Sequence, residues 1–205
     1  MTDLLGKLFG SSARVKVLRL FILNPDEVFE PRDVRMRSQI SPVILNGELP
    51  RLAHIGLIRH KVAHKNSGRK RNGRVRKRKI KGWILNPRFL YLEQLKSLII
   101  NKKAFERNAL ALRFRNAGRI KLLILAGIFL QRDDSRVDVL IVGDYLKKSV
   151  IGRALKTLES EIGKDLKYGV LNTKEFMYRF DIYDRFIRDV LDYPHEKVIN
   201  KINLR

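Results

Sequence analysis

The stretch RVDVLIVGD, residues 136–144, places one carboxylate, Asp138, at the entry of an apolar run that predicts a buried strand. Side chains two positions apart on a strand point the same way, so Arg136 is expected beside Asp138. Two carboxylates at that spacing would hold magnesium ions carrying a triphosphate and would polarise its leaving group. Arg136 removes a ligand and, at about 6 Å and an effective dielectric of about 20, repels a dication by about 6 kcal/mol. We expect no metal here, with Arg136 pairing with Asp138 or holding an anion.

The other residues that could do chemistry form no recognisable site. Asp133 and Asp134, in the loop before the strand, could swing in to replace the missing ligand, which leaves an active enzyme open as an alternative. His60 and His64 fall in a basic segment, where a phosphate contact or simple exposure is expected rather than zinc. No histidine pair has a metal-ligand spacing on one element; the four are His54, His60, His64 and His195. We expect neither a metal nor a cofactor.

A basic segment dominates the charge of the chain. The net charge is +23, and residues 59–81 hold 12 Lys and Arg with no Asp or Glu, so these 23 residues carry +12. A local field of that size favours polyanions, with nucleic acid first and anionic lipid second. The candidate phosphate-binding residues are Lys65, Arg69, Lys70, Arg71, Arg74, Arg76, Lys77, Arg78 and Lys79.

The composition bounds the class of protein. The 205 residues have room for two small domains. The chain has no cysteine, which excludes disulfides, thiolate zinc sites and cysteine nucleophiles and suits a reducing cytoplasm. No apolar run reaches about 18 residues, so no membrane span is expected. The N-terminus lacks the pattern of a signal peptide.

The first half reads as helices followed by a hairpin. Ser11 or Ser12 caps a helix that Asn24-Pro25 ends, and EVFEP predicts a short extended piece before a second helix. Ser41-Pro42 opens a third helix that Gly56 closes. Two basic strands follow, with a predicted tip at residues 66–73 whose Asn72-Gly73 dipeptide favours a tight turn. A helix over residues 88–103 is predicted next.

The second half predicts a small α/β domain. The runs RIKLLILAGIFL (119–130) and RVDVLIVGD read as strands buried on both faces. An amphipathic helix lies between Tyr145 and Gly163, and LKYGVLN offers a third strand. Thr173 is expected to cap a short helix, and a last helix precedes Pro194. The boundary between the halves is placed near residue 103.

The first half resembles ArsR-like winged helix-turn-helix regulators over residues 8–100, through SPVILNGELPRLAHIGLIRHK and LFGSSARVKVLRLF. The resemblance implies that the third helix enters the major groove and that the hairpin is a wing along the backbone. We expect Gly47 and Pro50 to break this helix and Glu48 to face the phosphates unfavourably. Helix 88–103 either pairs two protomers, as in ArsR-like proteins, or packs on its own domain. The candidate reading residues are Ser41, Asn46, Arg51 and His54.

The second half resembles minimal nucleotidyltransferases over residues 119–191, and RVDVLIVGD matches their second strand. Where that family has Gly-Ser, this chain has Gly127-Ile128; where it has Asp-x-Asp, only Asp138 is present, with Arg136 at the other position. Tyr168 stands where a third carboxylate is usual. The resemblance therefore implies a nucleotidyltransferase-like domain without catalysis, that is, a pseudoenzyme.

Together these features predict a two-domain chain of the α+β and α/β classes, with a winged helix at residues 1–103 and a nucleotidyltransferase-like domain at residues 104–205. We expect a cytoplasmic, DNA-binding transcriptional regulator whose second domain senses a ligand, dimerises or docks a partner. DNA is favoured over RNA, no membrane partner is expected, and a homodimer is possible. One alternative is a sequence-tolerant nucleoid, RNA-associated or ribosome-associated basic protein, and a second is an active nucleotidyltransferase.

Overall fold

The computed structural model describes residues 4–71, 74–99, 107–130, 132 and 134–204, with side chains for all of these except 66–71, 74–77 and 107–109. The chain is a mixed α+β protein. Two compact units divide it: an N-terminal unit of Thr2–Ile100 with Glu159–Lys164, and a C-terminal unit of Asn101–Leu158 with Asp165–Arg205. The predicted boundary at residue 103 falls outside the described residues.

Four helices open the N-terminal unit, and their starts follow the capping signals of the sequence. Ser11 accepts a hydrogen bond from the Arg14 N–H at the start of the second helix, and Ser41 accepts one from the Ile44 N–H at the start of the fourth. Apolar residues of the second, third and fourth helices form one core with Leu57, Ile58 and Leu85. The helices are α1 (Leu4–Leu8), α2 (Ser12–Leu23), α3 (Pro31–Ser38) and α4 (Pro42–His54).

Helix α4 is continuous, so the expected break at Gly47 and Pro50 is wrong. Three leucines of α4, at positions 45, 49 and 52, are buried in the core. Burying each stabilises the helix by about 2 kcal/mol, and together this outweighs the roughly 3 kcal/mol that an interior proline costs. Gly56 ends the helix as expected: its φ is +80°, and Leu57 and Gly56 donate to the carbonyls of Leu52 and Ala53.

Strands β1 (Ile58–Arg71) and β2 (Arg74–Leu85) form a two-stranded antiparallel ribbon. Pairing reaches Arg71 and Arg74, with a register shift between Asn66 and Lys70, so most of the predicted tip is strand. The expected turn at Asn72-Gly73 lies outside the described residues. At the base, Trp83 exchanges two backbone hydrogen bonds with Phe29, which confirms the short extended piece. A Cβ on Gly82 would lie 2.4 Å from the Phe29 oxygen, so only glycine allows this approach.

Helix α5 (Leu92–Ile99) is shorter at its start than the helix predicted from residue 88. Turns precede the helix instead: the Asn86 side-chain oxygen accepts a hydrogen bond from the Arg88 N–H, and the Asn86 carbonyl accepts one from the Phe89 N–H. Leu92 and Ile99 are buried in the core, whereas Leu90 and Leu98 are exposed. The residues after Ile99 in the predicted helix lie outside the described part.

The C-terminal unit is built on a four-stranded sheet in the order β5-β4-β3-β6. The central strands β3 (Arg119–Leu125) and β4 (Val139–Asp144) are antiparallel, and each is almost entirely buried, as the continuous apolar runs predict. Helix α7 (Lys148–Ile162) connects β4 to its parallel neighbour β5 (Tyr168–Leu171). The remaining elements are α6 (Arg107–Arg113), α8 (Thr173–Asp181), α9 (Arg185–Leu191) and β6 (Glu196–Asn200).

Three details of this unit differ from the sequence predictions. The run after β3 turns into a short 3-10 helix, Gly127–Leu130, rather than continuing as a strand. The residue that caps α8 is Asn172, whose side chain accepts from the Glu175 N–H, not Thr173. Strand β6 was not predicted; it pairs antiparallel to β3, and its half-buried pattern in a five-residue stretch carries little periodicity.

Within the described residues, the helices are all too short or too polar to cross a lipid bilayer.

Replacing Pro50 with alanine tests how α4 tolerates its proline. Pro50 is exposed, and it leaves one helical hydrogen bond unmade in an otherwise regular helix. We expect Pro50→Ala to raise the free energy of unfolding by about 1–3 kcal/mol, because it restores the N–H and removes the ring clash. Urea denaturation followed by circular dichroism measures this. An unchanged or lower stability would mean that the proline is favoured by its surroundings.

Candidate nucleic-acid interface and the Asp138 site

The four polar residues predicted to read DNA all lie on the exposed side of α4 or at its start. Ser41 is exposed but its hydroxyl caps the helix. Asn46, Arg51 and His54 are exposed, together with the apolar Val43 and Ile44. The core leucines occupy the opposite side of the helix. The exposed side therefore offers few hydrogen-bonding groups for base edges.

Glu48 is buried, which corrects the expectation that it faces the phosphates. Only 3% of its surface is exposed. Its carboxylate binds the Arg14 guanidinium through two hydrogen bonds, of 2.8 and 3.2 Å, and lies 3.4 Å from Arg51. The hydrogen bond with Glu48 raises the pKa of Arg14 above its ordinary value. The partner comes from α2, 34 residues away, so the spacing within α4 did not reveal it.

The ribbon has two faces with different surroundings. Side chains alternate along each strand, and residues paired across the strands share a face. We call the outer face the one that carries His60, Val62, His64, Lys79, Lys81 and Trp83, where His60 pairs with Trp83, Val62 with Lys81 and His64 with Lys79. The inner face carries Ala63, Lys65, Arg78, Ile80 and Ile84, together with the exposed cations Arg59 and Lys61.

The inner face is partly covered by the protein itself, whereas Arg59 and Lys61 remain exposed on it. Ile80 and Ile84 are buried in a small cluster with Val28, and Ala63 packs against it. Lys65 binds Asp33 at 2.8 Å, and Arg78 binds Glu30. Such partly exposed ion pairs contribute about 0–1 kcal/mol each. They nevertheless cancel the charge of two residues that the sequence nominated for phosphate binding.

The outer face is open. All of its residues are exposed except Trp83, which is half-buried and stacks on His60 with ring centroids 3.5 Å apart. Lys79, a predicted phosphate-binding residue, lies here, and Lys81 adds a cation that the prediction missed. The sequence could have indicated Lys81, since Lys77, Lys79 and Lys81 are spaced two residues apart and such residues lie on one face of a strand.

The remaining predicted phosphate-binding residues are described by backbone only. They lie on the paired strands toward the end of the ribbon, where Arg71 pairs with Arg74. Their side chains are not among the described ones: Arg69, Lys70, Arg71, Arg74, Arg76 and Lys77.

Asp138 is a buried structural carboxylate. It precedes β4, and only 8% of its surface is exposed. One oxygen accepts the Ile128 N–H at 2.9 Å and the other accepts the Lys167 N–H at 2.8 Å. Its side chain also lies against Gly127, where a Cβ would fall 2.1 Å from Oδ1 and where φ is +52°. Asp138 thus joins the 3-10 helix, β4 and the residue before β5.

Arg136 does not pair with Asp138, and the strand alternation used to predict that the two lie together does not hold here. Residues 136–138 are not strand, so the period of two does not apply to them. The Arg136 guanidinium instead binds Asp189 on α9. Arg136 therefore does not pair with Asp138, and that it holds an anion stays a prediction.

The loop acids add no ligand set around Asp138. Asp134 is exposed and lies 3.6 Å from the Arg132 guanidinium, while Asp133 lies outside the described residues. In the part of the chain that is described, no three His, Asp or Glu side chains group as metal ligands would.

Asp144, at the far end of β4, forms a second polar junction in this unit. Its carboxylate lies 2.9 Å from the Lys121 ammonium on β3 and accepts a hydrogen bond from Thr173 at the start of α8. The hydrogen bond from Lys121 is the main cause that holds the pKa of the Asp144 carboxyl below its ordinary value, and the hydrogen bond from Thr173 adds to it.

Comparisons with protein-family models, with curated proteins and with solved structures found no match to this chain.

Asp138→Ala is expected to lower the free energy of unfolding by roughly 2–5 kcal/mol. The substitution leaves two buried N–H groups without an acceptor, and each such group costs about 1–3 kcal/mol. Asp138→Asn keeps one carbonyl acceptor and should lose less. Asp134→Ala, at an exposed acid of the same loop, is the control and should change stability by less than about 0.5 kcal/mol. Equal effects of Asp138→Ala and Asp134→Ala in urea denaturation would contradict the structural role.

Asp144→Asn tests the second junction through its pH dependence. A folded-state pKa below the unfolded value of about 3.9 stabilises the fold at pH values above about 3.9, and this stabilisation is lost as pH falls through the folded-state pKa. We therefore expect the wild-type protein to be more stable than the variant at pH 6, with the difference shrinking below about pH 4. Thermal unfolding across this range measures it, and a difference that is constant with pH would contradict the assignment.

Proposed function

We propose that this chain is a cytoplasmic DNA-binding transcriptional regulator of the winged helix type. In the proposal, residues 1–103 form the DNA-binding domain, with α3 and α4 as the helix-turn-helix and the ribbon as the wing. Residues 104–205 form a nucleotidyltransferase-like domain that has no catalytic activity and serves ligand sensing, dimerisation or partner docking.

The observation that carries the proposal is the open cationic ribbon. Residues 59–81 contain 12 cations and no acid, on two paired strands that directly follow α4. Inner-face pairing compensates two of these cations, so a net charge of about +10 remains for a polyanion. Phosphate contacts of this kind supply most of the affinity of non-specific DNA binding.

The order of elements around the ribbon supports DNA over other polyanions. Gln39, with φ of +50°, makes a tight left-handed turn between α3 and α4, and α4 presents a wholly exposed side opposite its core leucines. A helix held in this way next to a cationic hairpin is the arrangement that winged helix proteins use on duplex DNA.

The state of Asp138 supports the non-catalytic part of the proposal. Both of its oxygens accept backbone N–H groups, and Arg136 is bound to Asp189. A magnesium-binding carboxylate would have to share these oxygens with the cation in a buried position that lacks a second carboxylate among the described neighbours.

Sequence-tolerant binding of DNA or RNA is the second candidate, and the exposed side of α4 favours it. Arg51 is within 3.4 Å of Glu48, Ser41 caps the helix, and Val43 and Ile44 are apolar. Base reading is then left to Asn46 and His54, which is little for a specific interface.

Competition separates the two candidates. Duplexes enriched from a random pool should outcompete random DNA and bulk RNA by at least about tenfold if the chain is a specific regulator. Equal competition by all three would contradict the regulator and support the sequence-tolerant protein. Absence of nucleic-acid binding would contradict both.

The outer face is expected to carry a measurable share of the phosphate contacts. With six to eight contacts, log K should fall with log salt at a slope of about −5 to −7, and replacing Lys79 and Lys81 with glutamine should make the slope less steep by about 2. Lys65→Gln with Arg78→Gln should change it less, because both cations already have carboxylate partners.

Lys147→Gln with Lys148→Gln is the matched control, since it removes the same charge from exposed positions of the C-terminal unit. Fluorescence anisotropy with a labelled duplex at several salt concentrations gives the slopes. The same change in slope for the control and the outer-face variant would place the contacts elsewhere.

A further inference from the structure

Two histidines lie among the open cations of the outer face. His60 and His64 are both exposed and stand four residues apart on β1, so they share this face. Lys79 lies opposite His64 on the neighbouring strand, and Lys81 lies opposite Val62, midway between the two histidines. A phosphate chain that follows Lys79 and Lys81 therefore passes both imidazoles.

No carboxylate of the ribbon competes for these histidines, because residues 59–81 contain none. Glu30 and Asp33 bind Arg78 and Lys65 on the inner face. Asp26 and Glu93 line a pocket with Arg59 and Lys61, which also belong to the inner face. Next to the outer face, the backbone of Phe29 pairs with that of Trp83. The Arg37 guanidinium lies 5.2 Å from the centroid of the Phe29 ring and binds Glu27 at 3.0 Å.

We propose that His60 and His64 are phosphate-binding residues whose protonation couples nucleic-acid binding to pH. The inference deepens the proposed function and rests on it. An imidazole beside a phosphate is stabilised in its protonated form, so binding takes up protons and affinity rises as pH falls. The same residues contribute only neutral contacts once they are deprotonated.

The salt dependence gives the number of histidines engaged. Each protonated imidazole that contacts a phosphate releases about one more counterion, which steepens the slope of log K against log salt by about 0.9. Two histidines should therefore steepen it by about 2 between pH 7.5 and pH 5.5. At about 0.1 M salt, we expect binding to a labelled duplex to strengthen roughly tenfold over the same interval.

Glutamine variants assign the effect to residues. His60→Gln with His64→Gln keeps polar side chains but cannot gain charge, so the affinity of this double variant should be the same at pH 5.5 as at pH 7.5. His195→Gln, in the C-terminal unit, is the matched control and should keep the gain. His54→Gln tests whether the α4 histidine is the source instead.

The fluorescence of Trp83 provides a second measurement, which does not require a binding constant. It is the single tryptophan of the chain, and its ring stacks on His60. A protonated imidazole in contact with an indole quenches its fluorescence, so emission should fall as His60 becomes charged. Saturating duplex DNA should move the midpoint of this quenching to higher pH, and His60→Gln should abolish the pH-dependent quenching.

The outcomes separate the two proposals. The inference is supported if the double variant loses the pH-dependent gain in affinity while His195→Gln and His54→Gln keep it. It also requires that DNA raises the pH midpoint of the Trp83 quenching. Tight binding that is independent of pH, or a gain lost only in His54→Gln, overturns it and leaves the proposed function intact. No duplex binding at any pH overturns the proposed function itself.

Discussion

Mutual repulsion among closely spaced cations constrains the ribbon of β1 and β2. Residues 59–81 contain twelve Lys and Arg and no acid, and pairing the strands brings Lys65 opposite Arg78. Like charges in direct cross-strand pairs destabilise a sheet. The ribbon is therefore held from its base, by the buried cluster of Val28, Ile80 and Ile84 and by the main-chain pairing of Trp83 with Phe29.

The same compensation gives the ribbon its polarity. Glu30 and Asp33 bind Arg78 and Lys65, so the inner face is both packed and partly neutralised. The outer face keeps its cations in water, where a phosphate chain is the partner that relieves their repulsion. The proposed function rests on the cations that remain exposed, which include Lys79 and Lys81 on the outer face and Arg59 and Lys61 on the inner face.

Buried carboxylates are used as joints in both units. Glu48 fixes α4 to α2 through Arg14, and Asp138 fixes the 3-10 helix and the start of β5 to β4 through two backbone N–H groups. A buried carboxylate is stable only when its oxygens are bonded in this way. Each acid is therefore committed to the fold, which leaves α4 with few polar readers and supports a C-terminal unit that binds or packs rather than catalyses.

Local signals in the sequence determined where most elements begin and end. The Ser11 and Ser41 caps, the closure of α4 at Gly56 and the apolar runs of β3 and β4 act within a few residues, so they can be read without a partner. The run of cations likewise predicts an open ribbon, because so much charge cannot be buried. The continuity of α4 through Pro50 could not be read in this way, since it depends on three leucines reaching a shared core.

Which charges remain available was decided only by the tertiary structure. The partners of Lys65, Arg78, Glu48 and Arg136 lie 32, 48, 34 and 53 residues away along the chain. Strand β6 and the division of the ribbon into two faces likewise follow from pairing between distant segments. Sequence alone therefore identified the cations and the lone Asp138. The fold assigned those with described side chains to packing, to an ion pair or to the open surface, because an ion pair depends on distance in space and not on separation along the chain.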